Sequence, residues 1–401
     1  MVKKYGLTGI APLLVCCPLT AQAVGIASGT VPDMKMHVFE APAGEPPLAD
    51  NRENGVGRNG PMHMVIFTEP PSGGPATTNQ GQTISLAANG PAVAENYQEP
   101  EHYNDSPEFQ FDYYIEGGYR QDDLDWTIAD SSGSPDVVSE LQWKDVESAM
   151  FETGIDVTYA DHWHAEGKFA YGQIVDGHNQ DSDYDQNNRQ GEFSRSYSVT
   201  DDGATIELSG ALGYHFDIGS KKFAPRLRLT PKVGYAFHTQ QFNDTNGVQA
   251  ISDNNNDFKI EMPPLGSFGG LNSTYEATWY GPWGGMETKL FLTERLSLQG
   301  SVEYHWADYE GTGNWNLRED LDHPKSFTHE AEGEGIIASA GGSYRINPDW
   351  SVNLSADYQK WKANNNGIDT FYSSDGYAGE TRFNGVNWDS FGFNLGMAYK
   401  F

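Results

Sequence analysis

The chain closes on SFGFNLGMAYKF, residues 390–401, and the stretch repeats every second residue. Phe391, Phe393, Leu395, Met397, Tyr399 and Phe401 alternate with Ser390, Gly392, Asn394, Gly396, Ala398 and Lys400. Successive side chains of an extended strand point to opposite faces, so one face is greasy and the other small or polar. A strand of a soluble sandwich alternates in the same way, and the tail alone leaves both architectures open.

Composition separates them. Only 37% of the 401 residues are hydrophobic, against 45 Gly, 21 Tyr, 20 Phe and 10 Trp. Many aromatics, much glycine and few aliphatics describe a barrel with a polar lumen and aromatic girdles at two membrane interfaces. No run of 18 apolar residues occurs, which excludes a helical span. The 56 acidic residues against 25 basic ones give a net charge of −31. Such a surface repels nucleic acid and attracts cationic peptides or metal ions, although acidic loops also serve simply to keep an outer surface solvated.

The beginning agrees with the end. Lys3 and Lys4 precede the apolar GLTGIAPLLVCCPLT, and Ala21-Gln22-Ala23 follows, so residues 1–23 read as a secretory signal with a small-residue cleavage site. Cys16 and Cys17 both lie within it, so the mature chain has no thiol and no disulfide. A lipoprotein reading of LVCC meets Val15 where a small residue is wanted. Residues 24–108 are rich in Pro, Gly, Asn and Ala without apolar periodicity, and read as a disordered extension. Within it, only MHMVIFT at 62–68 could form a strand or dock elsewhere.

From Phe109 to Phe401 the alternation recurs, for example through Phe111, Tyr113, Ile115, Gly117 and Tyr119, and through Leu296, Leu298, Gly300, Val302, Tyr304 and Trp306. Short turns near 161, 219, 293–295 and 345–349 alternate with long polar stretches near 131–136, 177–192, 244–273, 311–325 and 363–385. Four turns and five loops join ten strands. The expectation is an all-β protein: a ten-stranded antiparallel transmembrane β-barrel in a Gram-negative outer membrane, with loops extracellular and both termini periplasmic.

The second long stretch reads HNQDSDYDQNNRQGE. Asp181 and Asp183 are two apart, so in a strand their carboxylates share a face, can share a proton and can polarise a water. A calcium reading competes, because Asp181, Asp183, Asp185, Asn187 and Glu192 occupy positions 1, 3, 5, 7 and 12 of a chelating loop, with Gln186 where the turn wants glycine. In the fourth stretch His323 adjoins Asp322, follows Asp320 by three residues and precedes His329. A histidine held by a carboxylate can act as general base towards water. HExxH, GxSxG and phosphate-binding glycine loops are missing, so zinc-protease, serine-hydrolase and nucleotide chemistry lack support.

SELQWK at 139–144 followed by NQDSDY at 179–184 resembles the omptin family of outer-membrane proteases, and the likeness continues through KVGYAFHTQQF at 232–242 and NGVNWDSFGFNLGMAYKF at 384–401. The resemblance implies an endopeptidase for cationic peptides that requires lipopolysaccharide and no other cofactor. An aspartate pair on one wall of the mouth, here Asp181 and Asp183, would hold the attacking water, and an Asp-His pair would stand opposite. Asp125 would receive the basic side chain of the substrate. The family's Asp-x-His is missing from YHWADYEGTGNWNLREDLDHP, so His323 with Asp320 or Asp322 would have to replace it; His305 lies deeper. Without that pair the chain is a non-catalytic relative, an adhesin or binding protein.

Overall fold

The computed structural model describes residues 109–219, 224–364 and 367–401. The expected signal and extension lie outside the described residues. Ten long strands and three short ones follow one another in chain order. They are β1 (Phe109–Ala129), β2 (Ser139–Tyr159), β3 (Trp163–Gln186), β4 (Gln190–Tyr214), β5 (Phe216–Ile218), β6 (Arg226–Ser252) and β7 (Gly266–Ser267), then β8 (Ser273–Phe291), β9 (Leu296–Asn314), β10 (Phe327–Arg345), β11 (Trp350–Ala363), β12 (Gly367–Tyr372) and β13 (Ala378–Lys400). Antiparallel pairing runs β1-β2-β3-β4-β6-β8-β9-β10-β11-β13 and closes through β1 and β13, a ring of ten. The C-terminal tail belongs to the closing strand, with Tyr113 opposite Tyr399 and Ile115 opposite Met397.

Towards the end of the barrel that carries both termini, a belt of apolar side chains faces outward all round the ring: Ile115, Phe151, Leu208, Val233, Val302 and Leu395 are all exposed. A continuous exposed apolar band has no place in water and matches hydrocarbon, as the alternation requires. The inward residues at this level are charged and paired. Arg120 donates to Asp122, Glu207 and Thr205, and Lys232 lies 2.9 Å and 3.0 Å from Glu166 and Glu287. Away from water these charges persist only because each has a partner.

The strands continue well beyond the belt. Those of 19 to 27 residues greatly exceed the 9–11 that cross a membrane. Here the structure corrects the sequence reading. Residues 177–186 belong to β3 and 244–252 to β6, so much of the expected loop is strand raised into water. Both faces of these extensions are polar, which erases the alternation that marks a strand inside the membrane.

Bulges between Lys144 and Ser148 on β2, and between Val199 and Asp202 on β4, accompany a change of phase. On β3 the inward residues are even-numbered up to Ile174, whereas Asn179 reaches Asp244 in the bore and alternation puts Asp181 and Asp183 on the same face as Asn179. An extra residue at a bulge re-aims everything that follows it.

Aromatic side chains fill the bore above the belt. Trp126 of β1 lies 5.7 Å from Tyr275 of β8, and His238 of β6 lies 4.2 Å from Trp388 of β13. In a ring of ten these strands are diametrically opposed, so the contacts cross the whole lumen.

Candidate functional site at the barrel mouth

Asp181 stands opposite Leu141 of β2 and Ser196 of β4, and Asp183 opposite Ser139 and Ser194. The phase change on β3 therefore turns both carboxylates into the mouth, above the aromatic plug. Burial pushes Asp183 up to about 6, opposed by hydrogen bonds from Ser139 and Ser194 and by the Arg318 guanidinium. Asp181 goes well above the usual carboxylate range, through burial first and the charge of Asp183 second. Two carboxylates this close titrate as a pair. The cation acting on both is Arg318, in the β9–β10 loop, which is itself clasped by Asp320 at 2.7 Å and 2.8 Å.

The other residues named from sequence are placed differently. Asp320 is held by Arg318, Asp322 accepts the backbone N–H of His323, and the His323 ring lies 2.9 Å from Asn314 Oδ1. Among the described residues, His323 has no ion pair with either aspartate. The expected general-base pair is not assembled, because the loop turns both carboxylates to other donors. Asp125 is corrected too. Leu124 and Trp126 point into the plug, so Asp125 points out of the barrel, where it accepts from Asn387 at 3.0 Å. His305 is buried in the bore 3.1 Å from Glu303.

The calcium loop dissolves as well. Its five ligands fall on two antiparallel strands and the turn between them. Asp185 accepts from the Asp257 backbone, Asn187 from Ser134 and the Asp136 backbone, and Glu192 from Arg195. Among the described residues, Asp156, His164 and Glu166 form the one group with metal-ligand spacing. Lys232 already neutralises it from 2.9 Å, so the donor set suits an ammonium better than a metal.

An Asp-His pair does exist near the mouth, and sequence reasoning passed over it. His329 of β10 lies 3.3 Å from Asp369 of β12, its other ring nitrogen 2.9 Å from the Tyr275 hydroxyl, which in turn is 2.5 Å from that of Tyr309. His329 is fully buried between Trp126 and Phe383, and burial holds its pKa down. Sealed from water, it belongs to the plug. Its two-residue spacing from Phe327 was the available signal.

The wall beside it explains the missing Asp-x-His. On β9 the inward positions after Tyr309 are Gly311 and Gly313. A Cβ at Gly311 would meet the Tyr275 hydroxyl at 2.2 Å, and one at Gly313 the Phe327 ring at 2.1 Å. Aromatic rings occupy the volume in which a dyad would stand. Below the aspartate pair, Asp244 of β6 accepts from Trp143 at 3.2 Å, Asn179 at 3.3 Å and Thr200 at 2.5 Å, and burial raises it to about 7.

A ring of ten antiparallel strands with an apolar belt, a paired polar interior and tall extensions defines an outer-membrane β-barrel, here with a filled bore. The chain belongs to the Protochlamydia outer membrane protein family, Pom, whose sequence model matches residues 114–401. A search of curated proteins finds no match to it. Among solved structures, the outer membrane protease OmpT from Escherichia coli is similar at 15% identity and a TM-score of 0.58, over 73% of this chain and 97% of that one. The translocator domain of the autotransporter NalP from Neisseria meningitidis gives 9% and 0.30, over 72% and 88%. The outer membrane protein OprG from Pseudomonas aeruginosa gives 12% and 0.27, over 72% and 95%. At these identities the likeness to OmpT is one of fold, and the other two carry no argument.

Proposed function

We propose that the protein is a closed, non-hydrolytic surface barrel that binds cationic groups at an acidic mouth, with loops outside the cell, both termini in the periplasm and lipopolysaccharide as the surrounding lipid. The observation that supports this most is the charge facing the aspartate pair: a guanidinium acts on Asp181 and Asp183, where water activation calls for an imidazole. Arg318 is fixed to Asp320, and its positive charge favours the ionised form of both aspartates. The filled bore argues against a passive pore, since ten strands leave a lumen that side chains can fill.

Peptidase action is the second reading, favoured by one feature. Asp181 and Asp183 both have raised pKa values, the condition in which two carboxylates share a proton over a water. Refolded barrel with lipopolysaccharide would be mixed with a quenched fluorescent peptide carrying two adjacent arginines, beside Asp181→Ala/Asp183→Ala and His323→Ala variants. Binding without cleavage, lost in the aspartate variant, is the expected result. Cleavage by the parent that both variants abolish would replace the binding reading with the hydrolytic one.

Binding should also depend on pH with a definite sign. Asp183 must be ionised to attract a cation, so affinity is present above about 6 and falls as pH drops through that value. Fluorescence anisotropy of a labelled arginine-rich peptide between about pH 8 and pH 5 reads this. Asp183→Asn should weaken binding and flatten the profile, and a flat profile in the parent would show that the pair is not the receptor.

A further inference from the structure

The aromatic plug carries polar atoms that packing alone does not require. Trp126, Trp279 and Trp388 are sealed in the bore, and among the described residues their indole N–H groups have no hydrogen-bond partner. A buried indole normally finds one, and phenylalanine would fill much of the same space without an orphaned donor. Indoles and phenols differ from phenylalanine in a second way, since they give up one electron readily. Here they form a continuous series. Between ring centroids, Trp388 lies 5.9 Å from Trp361, Trp361 lies 5.6 Å from Trp279, and Trp279 lies 4.5 Å from Tyr309. The Tyr309 hydroxyl then meets that of Tyr275 at 2.5 Å. Trp126 of β1 and Trp143 of β2 approach the same Tyr275 ring, at 5.7 Å and 5.1 Å.

A phenol is easily oxidised only where its proton can leave with the electron, and Tyr275 has a base for it. Its hydroxyl lies 2.9 Å from His329 Nδ1, and His329 Nε2 lies 3.3 Å from Asp369. A carboxylate only accepts, so Nε2 carries the ring proton and Nδ1 is left to accept from the phenol. Asp369 is buried too, and accepts from the Thr381 hydroxyl at 2.7 Å. We propose that Tyr275 is a redox-active tyrosine fed by the indoles around it. A one-electron oxidant at the mouth, such as a peroxide-derived radical, takes an electron from Trp143 or Trp126 and is itself reduced. Tyr275 refills the indole, and its phenol proton moves to His329 Nδ1. The products are a neutral tyrosyl radical and an imidazolium beside the Asp369 carboxylate. A thiolate or another one-electron reductant returns the electron, and the proton goes back to the phenol. An indole with an unpartnered N–H has nowhere to send its proton and passes the oxidation on, whereas Tyr275 holds it. Trp143, whose N–H reaches Asp244, is the competing trap. This inference does not depend on what the mouth binds.

From Val24 onward the sequence has no cysteine, so one introduced thiol carries one label. A ruthenium polypyridyl photo-oxidant is attached to the refolded barrel at Asp125→Cys, on the outer face beside Trp126. It is flashed with a sacrificial electron acceptor, and the frozen radical is read by electron paramagnetic resonance. The expected signal is tyrosyl: it narrows when tyrosine is supplied ring-deuterated, and a soluble paramagnetic ion leaves it unchanged because the ring is buried. It should be lost in Tyr275→Phe and in His329→Leu, and reduced in Trp126→Phe, with folding of each confirmed by heat-dependent gel mobility. A tyrosyl signal that survives in Tyr275→Phe or in His329→Leu overturns the proposal. A tryptophan radical in the parent does the same and assigns the trap to Trp143. Should the variants fail to fold, the parent alone decides, since a signal that deuterated tyrosine does not narrow, or that the soluble ion broadens, also overturns it.

Discussion

Replacing Arg120 by alanine should destabilise the barrel by about 3–5 kcal/mol, the cost of breaking a buried ion pair from one side. Arg120 is 3% exposed and bridges the bore, with Nε 3.0 Å from Asp122, Nη2 3.0 Å from Thr205 and Nη1 on Glu207. Removing it leaves Glu207 with His238 at 3.1 Å and Lys168 at 3.9 Å, and leaves Asp122 with the Gln240 amide at 2.8 Å. Arg120→Lys should recover part of the loss, since one ammonium cannot span three acceptors. The urea midpoint for unfolding from lipid vesicles measures both. An alanine variant within about 1 kcal/mol of the parent would show that water takes over the guanidinium's role, contrary to a closed bore.

Trp143→Ala should cost about 3–5 kcal/mol and act mainly on the mouth. The ring is completely buried, stacked between Phe242 at 4.9 Å and Tyr275 at 5.1 Å, and its N–H reaches Asp244. It joins β2 to β6 and β8, and truncation opens a cavity directly below Asp181. Hydrogen exchange should accelerate in residues 139–143 and 179–183 while the belt segments stay protected. Trp306→Ala is the contrast: this ring is 57% exposed on the outer face and should matter far less to the mouth. Similar exchange patterns in the two variants would mean that the plug does not support the mouth.

How far the sequence could be read depended on the medium around each segment. Where one face of a strand meets lipid, as in Phe391 to Phe401, period two is enforced and can be counted. Along 177–186 and 244–252 most side chains on both faces are polar, so β3 and β6 look like loops there although they remain paired. Asp181 and Asp183 stood out because two carboxylates at that spacing share a face in any strand. Asp125 and His323 were misplaced for different reasons. Asp125 lies on the outer face of β1, and His323 lies in a loop whose hydrogen bonds are chosen by Asn314 and Arg318.

By itself, then, the sequence determined the membrane-crossing strands, their number and the acidic pair, since each follows from local alternation and spacing. The tertiary structure alone decided that bulges turn the pair inward, that Gly311 and Gly313 yield their space to Tyr275 and Phe327, and that Trp126 meets Tyr275 across the ring. Those outcomes rest on which side chains meet across a closed lumen. Contacts between opposite strands carry no local periodicity from which they could be read.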